Sequence, residues 1–175
     1  GNVPKDTVTF LRPAIDPLSV KNQHLPKPKA KEILSELGID PDRPLISQLA
    51  RFDPWKDPHG VIDAYRLAKQ KVPDLQLALV GVMAAQDDPE AAVILGQVKE
   101  YADGTPDIHI FSNPKQVADL EVNAFQTASD IVLQKSLREG FGLSVAEGLW
   151  KECPVIGGNC GGIRVQIEQG KNGYL

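Results

Sequence analysis

From Pro44 to Gly158 the chain repeats one unit: a short run apolar on both faces, then a longer segment with apolar residues at helical spacing. The short runs are 44–52 (PLISQLARF), 75–81 (LQLALVG), 107–112 (DIHIFS), 130–134 (DIVLQ) and 153–158 (CPVIGG). Between them, 57–72, 87–102, 115–128 and the stretch from Gly140 to Lys151 have helical spacing, and 161–170 reads as one more helix. Asp88 is an expected N-cap with Pro89 at the first helical position. No two runs are joined by a hairpin turn, and runs apolar on both faces want cover on both sides. The pattern predicts βαβ units: a doubly wound parallel sheet of Rossmann-like α/β class. In such sheets ligands bind beyond the carboxyl ends of the strands, so the informative residues are those that follow each strand.

Residues 1–28 break the pattern. Prolines at 4, 13, 17, 26 and 28 forbid a long helix and favour an extended entry segment or linker. A first helix is expected over 28–37 with Gly38 closing it, so the domain proper is 29–175. The residues Asn172 to Leu175 start a further strand that would normally be backed by a helix, so the chain is expected to be part of something longer, truncated at its C-terminus.

At 175 residues and 42% hydrophobic the chain can bury one core. Its net charge of −4 argues against bulk-charge binding to nucleic acid or a membrane surface. No run approaches the length of a membrane helix and none reads as a signal peptide. The two cysteines, Cys153 and Cys160, lack metal-site spacing, so free thiols in a reducing cytoplasm are expected and no metal. Homo-oligomerisation stays open.

The first strand is followed by ARFDPWKD, which places Arg51 and Lys56 in one loop before a helix. A forked donor beside a point charge suits a diphosphate. They are equally well read as surface charges answering Asp53 and Asp57. The third strand leads into Phe111, Ser112 and the Asn113-Pro114 turn. These either frame a nucleotide base or simply enter a helix, the latter being the commoner use of Asn-Pro. After the fourth strand comes Ser136–Trp150, SLREGFGLSVAEGLW. Gly140 and Gly142 flank Phe141 at a helix start, where Leu143 and Ser144 leave backbone N–H groups unpaired; such an end attracts phosphate. Glu139 and Glu147 bracket that anion-seeking backbone, which suits carboxylates that accept hydrogen bonds from sugar hydroxyls better than a hydrolytic pair. Both also read as ordinary acids at a helix start. A second glycine-rich turn (Gly157, Gly158, Gly161, Gly162) follows the fifth strand.

With REGFGLSVAEGLWKECPVIGGNCGG and the earlier ARFDPWKD, the chain resembles the C-terminal, donor-binding domain of retaining GT-B glycosyltransferases, the group that includes sucrose, sucrose-phosphate and trehalose synthases. The pattern is E-x7-E (Glu139, Glu147), an Arg and a Lys after the first strand, and a GG turn after a Pro-Val-Ile strand. It spans the chain from about Arg12 to Leu175. The wording QKS-REGFGL, with Arg138 where many relatives have Pro, is most similar to the archaeal, glycosyltransferring trehalose synthases.

The resemblance implies roles. Arg51 and Lys56 neutralise the diphosphate of a nucleoside-diphosphate glucose (ADP-, UDP- or GDP-linked), Glu139 holds hexose hydroxyls and Glu147 ribose hydroxyls. Backbone N–H groups around Gly142, Leu143 and Ser144 hold phosphate, and Phe111 and Ser112 lie near the base. It implies retaining glucosyl transfer to a sugar acceptor, glucose in a trehalose synthase, with no obligatory metal or other cofactor and a donor phosphate oxygen taking the acceptor's proton. The acceptor-binding domain would precede residue 1, so the chain alone is expected to bind donor weakly and not turn over. Beside this reading stand a non-catalytic Rossmann-like nucleotide module and a stable scaffold fragment. A dehydrogenase is disfavoured because the first strand-to-helix turn carries no GxGxxG.

Overall fold

The computed structural model describes residues 9, 11, 13–81 and 89–175. Among them, six strands form one sheet in the order β3-β2-β1-β4-β5-β6, every neighbouring pair parallel. The strands are β1 (Leu45–Leu49), β2 (Gln76–Val80), β3 (Ile108–Phe111), β4 (Ile131–Gln134), β5 (Val155–Gly157) and β6 (Gly173–Tyr174). The helices are α1 (Lys27–Glu36), α2 (Pro58–Lys69), α3 (Pro89–Ala102), α4 (Asp119–Ala128) and α5 (Leu143–Trp150). The doubly wound parallel sheet expected from the alternation is therefore present. Most of the start of the entry segment, the Asp88 cap and the loop beyond Gly81 lie outside the described residues.

Alternation along each strand divides the apolar side chains between two cores. Ala78, Val80 and Val132 face one, with Ile33, Leu34, Phe125 and Val145 from α1, α4 and α5. Leu77, Leu79 and Leu133 face the other, with Val61, Ile62, Tyr65 and Val98 from α2 and α3. Each helix starts or stops where backbone chemistry dictates. Asp57, at φ 49°, caps α2 by accepting the Gly60 N–H at 3.1 Å. Gly38, at φ +86°, follows α1 and takes the left-handed turn that ends it. The chain departs from expectation after β5: Gly161–Val165 forms only a 3-10 turn. Its glycines pack backbone against the neighbouring loop, and the Ile163 and Gln166 N–H groups close i to i+3 turns on Cys160 and Ile163.

Strand order reverses between β1 and β4. One loop from each leaves toward opposite faces, α2 to one core and α5 to the other, and a crevice opens between them. Phe111 does not reach it. The side chain at the end of β3 is 4% exposed, and its ring packs 5.3 Å from that of Phe125 in the core. It belongs to the same core as Ala78, Val80 and Phe125, so the aromatic expected beside a base is a core residue. Phe111→Ala should lose about 3–5 kcal/mol of stability in urea unfolding, as for a buried phenylalanine. A loss below about 1 kcal/mol would return the ring to the surface.

Candidate functional site

The crevice is a cleft of about 360 Å³ lined by Leu49, Ala50, Arg51 and Lys56 on the β1 side and by Gln134, Glu139, Phe141, Gly142, Leu143 and Ser144 on the β4 side; Pro13 of the entry segment closes one edge. Larger hollows occur elsewhere, lined by Ile131, Pro154 and Val155 or by Asp130 and Lys151. Those residues mark the amino ends of β4 and β5, opposite to the switch point.

Two ion pairs join the loops across the switch point. Lys56 donates to Glu139, with side chains 18% and 14% exposed. Lys135, directly after β4, donates to Asp57, whose other oxygen caps α2. The Leu137 N–H donates to the Trp55 carbonyl at 2.8 Å, and the Arg138 guanidinium stacks 4.4 Å from the centroid of the Trp55 ring. Arg51 is less committed. Its side chain is 64% exposed and among the described residues reaches only Asp53, at 3.4 Å, which leaves it room to swing toward an anion.

Glu139 is held asymmetrically. Lys56 and the Ser136 hydroxyl, at 3.3 Å, both donate to Oε2. Oε1 takes the Gly140 N–H at 3.1 Å and has acceptor capacity to spare. At the start of α5, Gly142 takes φ +86°, and the first N–H bonded back to it is that of Val145, at 3.0 Å. The N–H groups of Leu143 and Ser144 therefore precede the helix's own hydrogen-bond ladder and face an anion-attracting end. The Ser144 hydroxyl donates to the Leu49 carbonyl at 2.7 Å, which ties the helix end to β1. A cation pair, a bare helix terminus and a carboxylate with a spare oxygen thus meet in one cleft. This set can hold a phosphate and a polyol together.

The second glycine-rich turn proves to be a support rather than another cradle. A Cβ on Gly158 would overlap the Ser136 carbonyl oxygen, one on Gly161 the Glu139 carbonyl oxygen, and one on Gly162 would lie 2.5 Å from the Phe141 Cα. The Gly162 N–H donates to the Gly140 carbonyl at 3.0 Å, and the Gln166 amide donates to the Phe141 carbonyl at 2.5 Å. These glycines let one backbone lie on the next and fix the 136–142 loop from behind.

Glu147 does not line the cleft. It is 3% exposed, accepts from Lys21 of the entry segment at 2.7 Å and from the Gln126 amide at 2.7 Å. The fifth residue of α5 sits about 6 Å along the axis from the first, at 1.5 Å per residue, and is covered there by α4 and the entry segment. The hydroxyl contact expected of Glu147 is therefore not available to the side chain as placed. Next to it, Lys151 donates to Asn22 at 3.0 Å and to Gln126 at 2.8 Å. Burial pulls its amine down to about 8, against the opposing pull of Glu147. Ser112 is half-buried and outside the cleft lining, and the Asn113 side chain is used in a local turn, accepting the Lys115 N–H at 2.9 Å. Of the residues singled out in the sequence, the structure brings Arg51, Lys56, Glu139, Gly142, Leu143 and Ser144 together in one cleft. Sequence reasoning missed Asp57, Lys135 and Gln134, which the switch-point rule flags once strand ends are known.

Residues 29–175 match the family described as glycosyl transferases group 1. The chain is 53% identical over 163 residues to a trehalose synthase of Rubrobacter xylanophilus, covering 93% of this chain and 39% of that protein. Against a trehalose synthase of Thermococcus litoralis the identity is 48% over 171 residues, covering 98% and 41%. The chain therefore spans about two fifths of the length of these relatives. A solved sucrose-phosphate synthase from Thermosynechococcus elongatus aligns with a TM-score of 0.65 at 25% identity, over 82% of this chain and 35% of that one. The similarity lies in the GT-B half that the sequence led us to expect.

Two outcomes test this geometry. Gly161, at φ +45° against the Glu139 carbonyl, should not tolerate a side chain: Gly161→Ala is expected to cost at least about 2 kcal/mol in urea unfolding. A neutral substitution would remove the supporting role of the turn. Between pH 8 and 10.5 the unfolded chain keeps a proton on Lys151 that the folded chain has shed, so stability rises with pH in that window. Wild type should gain on Lys151→Met from pH 8 to pH 10 in paired unfolding curves; a constant difference would show that the amine is not depressed.

Proposed function

Because the chain belongs to the glycosyl transferases of group 1, we propose that its cleft binds the donor of a retaining glucosyl transfer, a nucleoside-diphosphate glucose. The observation that carries the reading is the Lys56–Glu139 pair at the mouth of α5. One spare cation-borne set of N–H donors and one spare carboxylate oxygen stand side by side, which is the contact pattern a sugar joined to a phosphate requires. Arg51, Lys56 and the N–H groups of Leu143 and Ser144 hold the diphosphate, neutralising charge that grows on it as it leaves. No obligatory metal is part of this reading. Glu139 Oε1 accepts hydroxyls of the hexose and so sets C1 in place.

In the transfer, the bond from glucose C1 to the diphosphate oxygen breaks and a bond from C1 to the acceptor oxygen forms on the same face. The acceptor's proton passes to the leaving phosphate oxygen. The likeness to proteins named trehalose synthase supports glucose as the acceptor and trehalose as product. The acceptor would sit across the cleft on a domain outside this chain, so this chain alone binds donor without turning it over. The base is held by the backbone near Ser112 rather than by the Phe111 ring.

Calorimetric titration with ADP-, UDP- and GDP-glucose checks the assignment. At least one should bind, and Arg51→Ala, Lys56→Ala and Glu139→Gln should each weaken it by about tenfold, the worth of one hydrogen bond to a charged group. Absence of binding by all three, or equal affinity in wild type and variants, would overturn it.

A further inference from the structure

Gln134, the last residue of β4, is 1% exposed and forms part of the cleft wall. Its amide nitrogen donates to the Ser136 hydroxyl oxygen at 2.9 Å. The Ser136 proton is itself committed to Glu139 Oε2, at 3.3 Å. With that proton spent, the hydroxyl offers only lone pairs, so the NH2 end of Gln134 must face it. The amide oxygen is then left buried with no hydrogen-bond partner among the described residues. An unpaired buried carbonyl costs stability, whereas an apolar side chain of similar size at this position would not incur that cost. Gln134 sits beside Leu133 and Val132 in a strand otherwise apolar, so packing alone does not call for an amide here.

We propose that Gln134 is a positioning residue for the sugar half of the donor: its nitrogen holds Ser136, Ser136 holds Glu139 Oε2, and Glu139 Oε1 is thereby aimed at a hydroxyl of the transferred hexose. The inference rests on the donor reading given above for Glu139. Lys56 alone does not achieve the same placement, because an ammonium bonds a carboxylate from many directions. Two donors converging on Oε2 from different loops, Lys56 from β1–α2 and Ser136 from β4–α5, leave the carboxylate plane one setting. The unpaired oxygen of Gln134 is the stability cost of that relay.

The test separates positioning from packing. Gln134→Met keeps the volume, removes the unpaired carbonyl and breaks the relay. Its thermal midpoint should equal or exceed that of wild type. Its affinity for whichever nucleoside-diphosphate glucose the wild type takes up should fall by about tenfold, while affinity for the matching nucleoside diphosphate stays unchanged. Ser136→Ala should show the same selective loss, and the double variant no further loss, since both break one chain of contacts. A lowered midpoint with both ligands weakened alike, additive losses in the double variant, or unchanged affinity for the sugar nucleotide would each overturn the relay and leave the donor reading standing. Failure of the wild type to bind any sugar nucleotide would instead overturn the donor reading, and the relay with it.

Discussion

The paired charges across the switch point, Lys56 with Glu139 and Lys135 with Asp57, hold the functional half of the molecule in shape. β1 and β4 lie next to each other in the sheet, yet the loops that leave them diverge toward opposite faces. Nothing in a parallel sheet closes that gap, because the backbone ladder ends where the strands end. Charges are an expensive way to close it: each must be drawn partly out of water, and a partly buried pair gains little net stability over an apolar contact. What the pairs supply is registration. Asp57 is at once the cap of α2 and the partner of Lys135, so the start of α2 and the end of β4 cannot move independently.

Registration of that kind also explains the glycines behind the cleft. The loop after β5 contacts the loop after β4 through backbone alone, with Gly158, Gly161 and Gly162 each standing where a Cβ would overlap or crowd a neighbour. The Glu139 carboxylate is therefore set from three directions: by Lys56 in front, by Ser136 beneath, and by the glycine-supported backbone behind. A site meant to bind a flexible, many-hydroxyl ligand gains from such stiffness, since the entropy of arranging the protein is already met before the ligand arrives.

Much of this was legible in the residues. The doubling of apolar runs announces the sheet, and the rule that ligands sit beyond strand carboxyl ends points to Arg51, Lys56 and the Glu139–Ser144 loop, which the structure gathers in one cleft. The departures have separate causes. A strand's last side chain points to one face or the other by parity, and sequence does not show where the strand ends. Phe111 ends the edge strand β3 on the face that packs against Phe125, so it belongs to the core. The 161–170 helix was read from its spacing, but its start is pinned under the Glu139 backbone and stays a 3-10 turn. Gln134, polar in an apolar strand, was the legible signal left unused.

The two glutamates of E-x7-E illustrate how equal spacing can hide unequal environments. Eight residues would be about two turns on a continuous helix, putting both carboxylates on one side. Here the helix starts only at Leu143, so Glu139 lies on a loop outside it while Glu147 lies within it, under α4 and the entry segment. A buried carboxylate needs compensating donors, and it has them in Lys21 and Gln126. Those donors belong to different elements, so Glu147 binds the entry segment to the helix whose free end faces the cleft, and Trp150 and Lys151 extend the same attachment through Asn22. Pro13, upstream on that segment, lines the cleft. A contact deep on α5 thus anchors the segment that supplies one edge of the cleft at the helix's free end.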